Sequence, residues 1–321
     1  MKTILQNPKI QTYFPKKIKV LDILKFAAID IGSNSVRLLI VNVLQDVQGP
    51  IFKKSSLIRV PVRLGANAFT NHKLPEVNIL HLEDTMLAFK YLMKANDVLH
   101  YKGCATSAMR EASNGASIVK RIREKTGLII DIITGTMEAD LIFNSQNASL
   151  GKIQTNSLFV DVGGGSTEIT VFSKGKAIAA RSFAIGTIRI LQNQVSKQDW
   201  KIMKDWVKKT SGTLQDFSMI GSGGNINRIS KLAQLKPGKS LTFEKLEMIV
   251  ADLNAHTYDE RMKLYDLNPD RADVIVPAGE IFVNIMKWIN ADKIFVPKIG
   301  LGDGIVREVY KEYLEGKKAE I

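Results

Sequence analysis

Apolar positions along the chain fall into two patterns. Short continuous runs end in an acid or a glycine, and longer stretches repeat near the helical period. The run around which the rest is organised is Leu158, Phe159, Val160 and Val162, bracketing Asp161. Gly163, Gly164, Gly165, Ser166, Thr167 and Glu168 follow it. An apolar run this short suits a strand buried on both faces. An aspartate at its end needs a counter-charge, because a buried unpaired carboxylate is costly. Without Cβ atoms, the glycines let backbone N–H groups close on a bulky anion. Strand, acid and glycine loop in that order set a metal-binding carboxylate beside a phosphate cradle. A tight hairpin turn with a solvated aspartate is the plainer reading, and a glycine triplet alone fits both.

Residues 1–24 show little periodicity and read as an N-terminal extension. Phe26 to Ile29 then leads into Asp30, Ile31, Gly32, Ser33, Asn34 and Ser35, and a second run follows from Val36 to Val41. This is again strand, acid, polar turn, strand. Ile51 to Leu64 can extend the sheet. Glu76 to Asp97 reads as a helix with Val77, Leu80, Leu87, Tyr91 and Ala95 near one face. Val98 to Cys104 is a short strand, and Arg110 lies in the strand-to-helix turn after it. Helix N-termini attract anions, although an ion pair with Glu111 also accounts for Arg110. Ala116 to Thr126 is a helix stopped by Gly127, and Leu128 to Ile133 is a strand. A further helix starts near Thr136 with Glu138 in its first turn. The helix dipole favours an acid there; the functional reading is a general base at a domain boundary.

The second half repeats the scheme. Leu158 to Asp161, Glu168 to Phe172 and Ala177 to Phe183 read as strands. A helix from Lys197 to about Leu214 carries Trp200, Met203 and Val207 on one face. Phe217 to Ile220 is a strand that enters a glycine loop, Gly221 to Asn225. Thr242 to His256 is amphipathic. Asn268 and Pro269 start a helix that is interrupted near Pro277, Ala278 and Gly279 and continues to Ile289. Lys293 to Val296 is the last strand, and a charged helix runs to about Glu315. Three strand-to-glycine junctions in two similar halves amount to an architectural duplication. The prediction is an α/β protein with domains at 25–141 and 142–321, the C-terminal helix packing back on the first. Facing halves would bring the loops together across a cleft, where ligands sit in such folds.

Composition narrows the partners. The 321 residues suffice for two domains, and 45% hydrophobic and 24% charged content are ordinary for a globular chain. The net charge of +13 steers polyanions toward the surface. One cysteine, Cys104, excludes an intrachain disulfide and a Cys-rich metal site, and favours a reducing cytoplasm. No apolar run reaches the roughly 18 residues of a membrane helix, and Met1 to Lys19 lacks the apolar core of a secretory signal. No aromatic-basic cluster or helix-turn-helix pattern points to specific nucleic-acid binding. His72, His81, His100 and His256 are scattered and read as structural.

Five segments in order resemble the exopolyphosphatase/guanosine pentaphosphate phosphohydrolase (Ppx/GppA) family, within the actin-like, sugar-kinase and Hsp70 ATPase superfamily. They are Ala28–Ser35, Ala105–Arg110, Glu138–Phe143, Val160–Glu168 and Gly221–Gly224, within a resemblance spanning residues 26–312. It implies duplicated ribonuclease H-like domains with a ligand cleft between them. It implies Mg²⁺ held by Asp161 and Asp30. Phosphates would be gripped by Gly32, Ser33, Asn34 and Ser35, by Gly163, Gly164, Gly165, Ser166 and Thr167, and by Gly223 and Gly224. Arg110 would neutralise phosphate charge and Glu138 would deprotonate the attacking water. The implied reaction releases orthophosphate from the end of inorganic polyphosphate. Hydrolysis of guanosine pentaphosphate to the tetraphosphate form is the alternative within the class. ATP-dependent phosphotransfer and non-catalytic polyphosphate binding are the other classes; Glu138 and the lack of a sugar-binding motif favour water as acceptor. The sequence leaves K⁺ stimulation open, and relatives suggest a homodimer. Thr136 and Met137 stand where family members often carry acids, and Gly300-Leu301-Gly302-Asp303-Gly304 replaces a Gly-Leu-Arg-Glu-Gly-like motif. The helical C-terminal domain of longer relatives is expected to be missing from a chain ending at Ile321.

Overall fold

The computed structural model describes residues 23–319 apart from 47–48, 151–155, 175, 213–217, 236–238 and 298. Residues 1–22 of the N-terminal extension and the positions Leu214 and Phe217 lie outside these residues, while Ile23 and Leu24 already belong to the first strand. The chain builds two mixed sheets. The first half runs β1 (Ile23–Ile31), β2 (Val36–Asp46), β3 (Gly49–Val60), α1 (Gly65–Asn71), α2 (Glu76–Ala95), β4 (His100–Ala105), α3 (Ser107–Glu111), α4 (Gly115–Thr126) and β5 (Ile130–Ile132). Helix α5 (Gly135–Leu150) follows. The second half runs β6 (Ser157–Val162), β7 (Thr167–Ser173), β8 (Lys176–Phe183), α6 (Thr187–Leu191), α7 (Lys197–Ser211), β9 (Ser218–Ser222), α8 (Gly224–Leu232), β10 (Leu241–Thr242), α9 (Phe243–Ala255), α10 (Tyr258–Leu264), α11 (Pro269–Ala272), α12 (Ile275–Ile289), β11 (Lys293–Phe295) and α13 (Leu301–Ala319).

The sheets share one plan. The first has the order β3-β2-β1-β4-β5 and the second, read from its other edge, β8-β7-β6-β9-β11-β10. In each, an antiparallel three-strand meander is joined by parallel strands from its innermost member. This is the ribonuclease H-like arrangement, duplicated. No helix of the described residues is long and apolar enough to cross a membrane.

Strand alternation explains the layering. Ala27, Ile29 and Ile31 of β1 face a core shared with α2 and α4, whereas Phe26 and Ala28 face the opposite side. In β6, Leu158, Val160 and Val162 face the α7, α8 and α12 side, and Phe159 faces the other. The faces carrying Phe26 and Phe159 meet in one central layer filled by Ile142 of α5 and by Leu301, Ile305, Val306 and Val309 of α13. Both sheets therefore pack on the same two helices. Phe143 stacks on Phe172 at 3.7 Å. Lys102 pairs with Glu308 and Glu312, and Lys54 with Asp303, so charges as well as apolar contacts tie α13 to the first sheet.

Two expectations are corrected. The face of α2 marked by Val77, Leu80 and Tyr91 points outward, with Val77 71% and Tyr91 64% exposed. Ile79, Leu82, Met86, Phe89 and Met93 are the buried stripe. Glu83 sits within that stripe, fully buried, and disguises it; Arg121 and Lys125 of α4 supply the counter-charges that make its burial tolerable. The helix after Asn268 breaks at Asp273 and Val274 rather than near Pro277. Asp273 is drawn into an ion pair with Arg63. Pro277 then falls in the first turn of α12, where its missing N–H costs no intrahelical bond.

The closest approach in the central layer is at Gly304. A Cβ there would lie 2.1 Å from the carbonyl oxygen of Leu141. Gly304→Ala should push α13 away from α5 and lower stability by about 1–3 kcal/mol, the usual range for overpacking. Denaturant unfolding monitored by circular dichroism measures this.

Candidate active site in the crevice between the sheets

The site begins with two hairpin turns of the same build. Gly32 N–H donates to the Ser35 carbonyl at 3.2 Å, and Gly163 N–H to that of Ser166 at 2.9 Å. Each tip is held by the next helix: Gly65 N–H donates to Ser33 O at 2.7 Å and Ile188 N–H to Gly164 O at 2.8 Å. Ser33 lies against Gly164, so the two turns meet across the molecule. A third junction arrives from β9. Gly223 has φ +114°, and a Cβ there would sit 2.9 Å from Val162 O. Only glycine brings this loop so close to the end of β6.

A crevice opens between these junctions. Asp30, Gly32, Ser33, Asn34, Ser35, Glu138, Asp161, Gly163, Gly164, Ser166, Gly223 and Gly224 all line it. Gly165, Thr167 and Arg110 stand behind the lining. Gly165 packs against Phe69 and Ser107. The Thr167 hydroxyl is buried and donates to Ile185 O at 2.6 Å. Arg110 donates to Ile133 O at 2.7 Å and reaches Glu138 Oε2 at 3.5 Å. Glu111 pairs with Arg189 instead of Arg110.

Three carboxylates converge at the crevice, Glu138 and Asp161 lining it and Glu168 buried behind them. Asp161 ends β6, Glu168 lies directly opposite it on β7, and Glu138 comes from the first turn of α5. Their oxygens all fall within 4.8 Å of one another. Burial and the neighbouring Glu168 and Asp161 charges push the Glu138 carboxyl well above the usual range. Burial pushes Glu168 to about 7, against the hydrogen bonds that favour its charged form. Burial likewise pushes Asp161 to about 6. Ser182 donates to Glu168 at 2.8 Å. Hard oxygen donors at this spacing, short of compensating cations, fit a divalent ion such as Mg²⁺. Asp30 is not part of this cluster, since Arg37 holds it at 2.9 Å.

The crevice also carries basic groups. Arg37, Arg59 and Arg271 line the crevice and continue into a side chamber of about 260 Å³. Ala28, Leu39, Leu57, Ile299 and Leu301 form the chamber's apolar walls. Arg59 pairs with Asp270 of α11. Burial lowers the proton affinity of both Arg59 and Arg271, and the arginines press on one another. Asn34 also binds α11, donating to Asp270 O at 2.8 Å.

Glu168, Arg37, Arg59 and Arg271 had no assigned role from the sequence. For two of them a signal exists. Arg37 follows Asp30 by the same seven residues that separate Glu168 from Asp161. In both hairpins this spacing places the pair opposite each other. Arg59 and Arg271 come from distant segments, and no local pattern marks them.

The acid cluster sets a pH dependence for the metal-free protein. An acid that titrates higher when folded binds extra proton between its unfolded and folded values. Stability therefore falls as pH rises through that window. The windows run from 3.8 to about 6 for Asp161 and from 4.5 to about 7 for Glu168. Thermal midpoints in chelator should drop between about pH 4 and about pH 7, and Glu168→Gln should flatten the drop. A flat wild-type profile would contradict the cluster.

Comparison with known proteins agrees with this architecture. Residues 45–312 match the model of the Ppx/GppA phosphatase family. A bifunctional 3-dehydroquinate synthase/phosphatase of Fusobacterium nucleatum is 27% identical over 300 residues, covering 84% of this chain. This chain spans only 44% of that relative's length. Exopolyphosphatase 1 of Mycobacterium leprae is 21% identical over 88% of both chains. The crystal structure of the Aquifex aeolicus Ppx/GppA family member superposes with a TM-score of 0.72 at 26% identity, covering 90% of this chain and 99% of that one. With the family model matched over most of its length on this duplicated fold, the chain belongs to the Ppx/GppA phosphatase family.

Proposed function

We propose that this protein is a divalent-metal-dependent phosphohydrolase that removes the terminal phosphate of inorganic polyphosphate. The observation that carries this is the meeting at one crevice of a crowded acid cluster, Glu138 and Asp161 backed by Glu168, with turn backbones and arginines. Such a site suits a string of phosphates with a divalent ion. Asp161 and Glu168 would hold the metal, with Asp30 close enough to the crevice to act through water. When bound, the ion would neutralise charge on the phosphoryl oxygens.

The residues then divide the work. Turn N–H groups at Ser33 to Ser35 and Gly164 to Ser166 position the terminal phosphoryl group, with the Gly32 and Gly163 N–H groups closing each turn. Arg37, Arg59 and Arg271 take the charge of the trailing phosphates. Glu138 accepts a proton from the attacking water; burial and the Glu168 and Asp161 charges raise its affinity for that proton. Arg110, at 3.5 Å, stabilises its ionised form and holds the start of α5 through Ile133 O. The terminal phosphate leaves with the oxygen of water, and the shortened chain keeps the bridging oxygen. Positioning and charge neutralisation supply most of the acceleration.

The side chamber favours a second reading, hydrolysis of a guanosine pentaphosphate. A bare phosphate chain has no use for apolar walls, whereas a nucleoside does. Phosphate release from polyphosphate, the alarmone and ATP should be measured side by side with Mg²⁺ and with chelator. Glu138→Ala should cost about 10²–10⁴-fold in kcat; near-normal turnover would reject its role as base. Leu57→Trp, at the chamber mouth, should raise KM for the alarmone roughly tenfold, equivalent to about 1.4 kcal/mol, and leave polyphosphate unchanged.

A further inference from the structure

We propose that a cavity behind α5 is a binding site for an alkyl polyamine, an organic cation whose ammonium groups are joined by methylene stems. The cavity measures about 610 Å³ and lies at the edge of the first sheet, between β4, β5, the start of α5 and α13. That volume falls within the range of small-molecule sites. Its lining shares no described residue with the crevice. One wall is the far side of the helix that carries Glu138. Asp140 stands two positions on from Glu138, roughly 200° around the helix, and lines the cavity instead. The interior is apolar. Ile133 and Cys104 are buried there, and Leu141 and Met137 join them, Met137 being 52% exposed. Burial pushes the Cys104 thiol up to about 12, so it is a neutral floor and not a nucleophile.

The charges select the occupant. Asp131 is the register partner of Cys104, so its side chain leaves the sheet on the same face, toward α5 and α13. Asp140 meets it from α5. Both are exposed. Among the described residues, neither carboxylate has an ion-pair or hydrogen-bond partner. The cations of the lining are engaged elsewhere. Lys102 pairs with Glu308 and Glu312, and Lys311 with Glu315. Arg307 lies over the Phe52 ring at 4.3 Å. The cavity therefore holds two uncompensated acids, on a chain whose net charge is +13, with apolar surface between them. An anion would find each lining cation already engaged. A bare metal ion would leave the apolar surface unused. Ammonium groups on methylene stems meet both demands: the charges pair with the carboxylates, and the stems lie along the apolar wall as lysine stems do. An occupant reaching both acids bridges β5 to α5, and so ties the edge of the first sheet to the helix that positions Glu138.

Isothermal titration calorimetry of the whole chain with spermidine, in chelator and without phosphate substrate, tests this. The thermal midpoint of each unliganded variant confirms its fold. The wild type should bind spermidine, more weakly as salt rises. Asp131→Asn and Asp140→Asn should each weaken binding about threefold, and the double variant about tenfold. Met137→Lys, which brings the chain's own ammonium to the cavity, should abolish it. Glu168→Gln, which alters the crevice and not the cavity, should bind as the wild type does. Pentylamine, with one ammonium, should bind more weakly than spermidine. A wild type that does not bind spermidine overturns the proposal. So does binding that the double variant leaves unchanged, or binding that Glu168→Gln removes, which would put the amine in the acid cluster of the crevice.

Discussion

The structure depends on keeping three carboxylates crowded where they repel one another. Asp161, Glu168 and Glu138 lie within 4.8 Å, largely out of water. Repulsion of that kind would normally splay side chains or drive them to the surface. Here each acid is fixed by something rigid. Asp161 and Glu168 are a cross-strand pair in the interior of a sheet. Glu138 sits at a helix start, where the dipole favours a negative charge, and Arg110 stands behind it. The Ser182 hydroxyl anchors Glu168. The fold stores an unfavourable arrangement that a bound cation would relieve.

Duplication made this possible and divergence made it asymmetric. The two hairpins share strand pairing, turn hydrogen bond and seven-residue spacing. Across from Asp30, however, stands Arg37, and across from Asp161 stands Glu168. One half therefore neutralises its aspartate internally and offers cationic groups. The other leaves its aspartate uncompensated and gathers a third acid from α5. The difference at this one strand position leaves one aspartate paired with a cation and the other facing a second acid.

Much of this was legible from residue order. Continuous apolar runs ending in Asp30 and Asp161 became the innermost strands of their sheets, since strands in the middle of a sheet are covered on both faces. The turn glycines landed on the crevice because loops at the ends of such strands converge there. What stayed hidden has three physical origins. Glu83 interrupts the buried face of α2 and is matched by α4 cations that local pattern cannot display. Thr167 and Gly165 sit in a phosphate-loop motif but serve the hairpin itself, one bonding Ile185 and the other packing on Phe69. Arg59 and Arg271 reach the site through α11 and β3, segments more than 200 residues apart, so nothing short of the fold could join them.

Helix α11 has a consequence for traffic into the site. It belongs to the second half, yet Asn34, Arg59 and Arg63 of the first half all grip it, through Asp270 and Asp273. Two ion pairs and a backbone hydrogen bond thus span the rim of the crevice like a clasp. Swinging the halves apart would strand Asp270, which is almost wholly buried, without its cation. A ligand that enters without parting the halves would meet no such penalty, and the clasp favours that kind of guest.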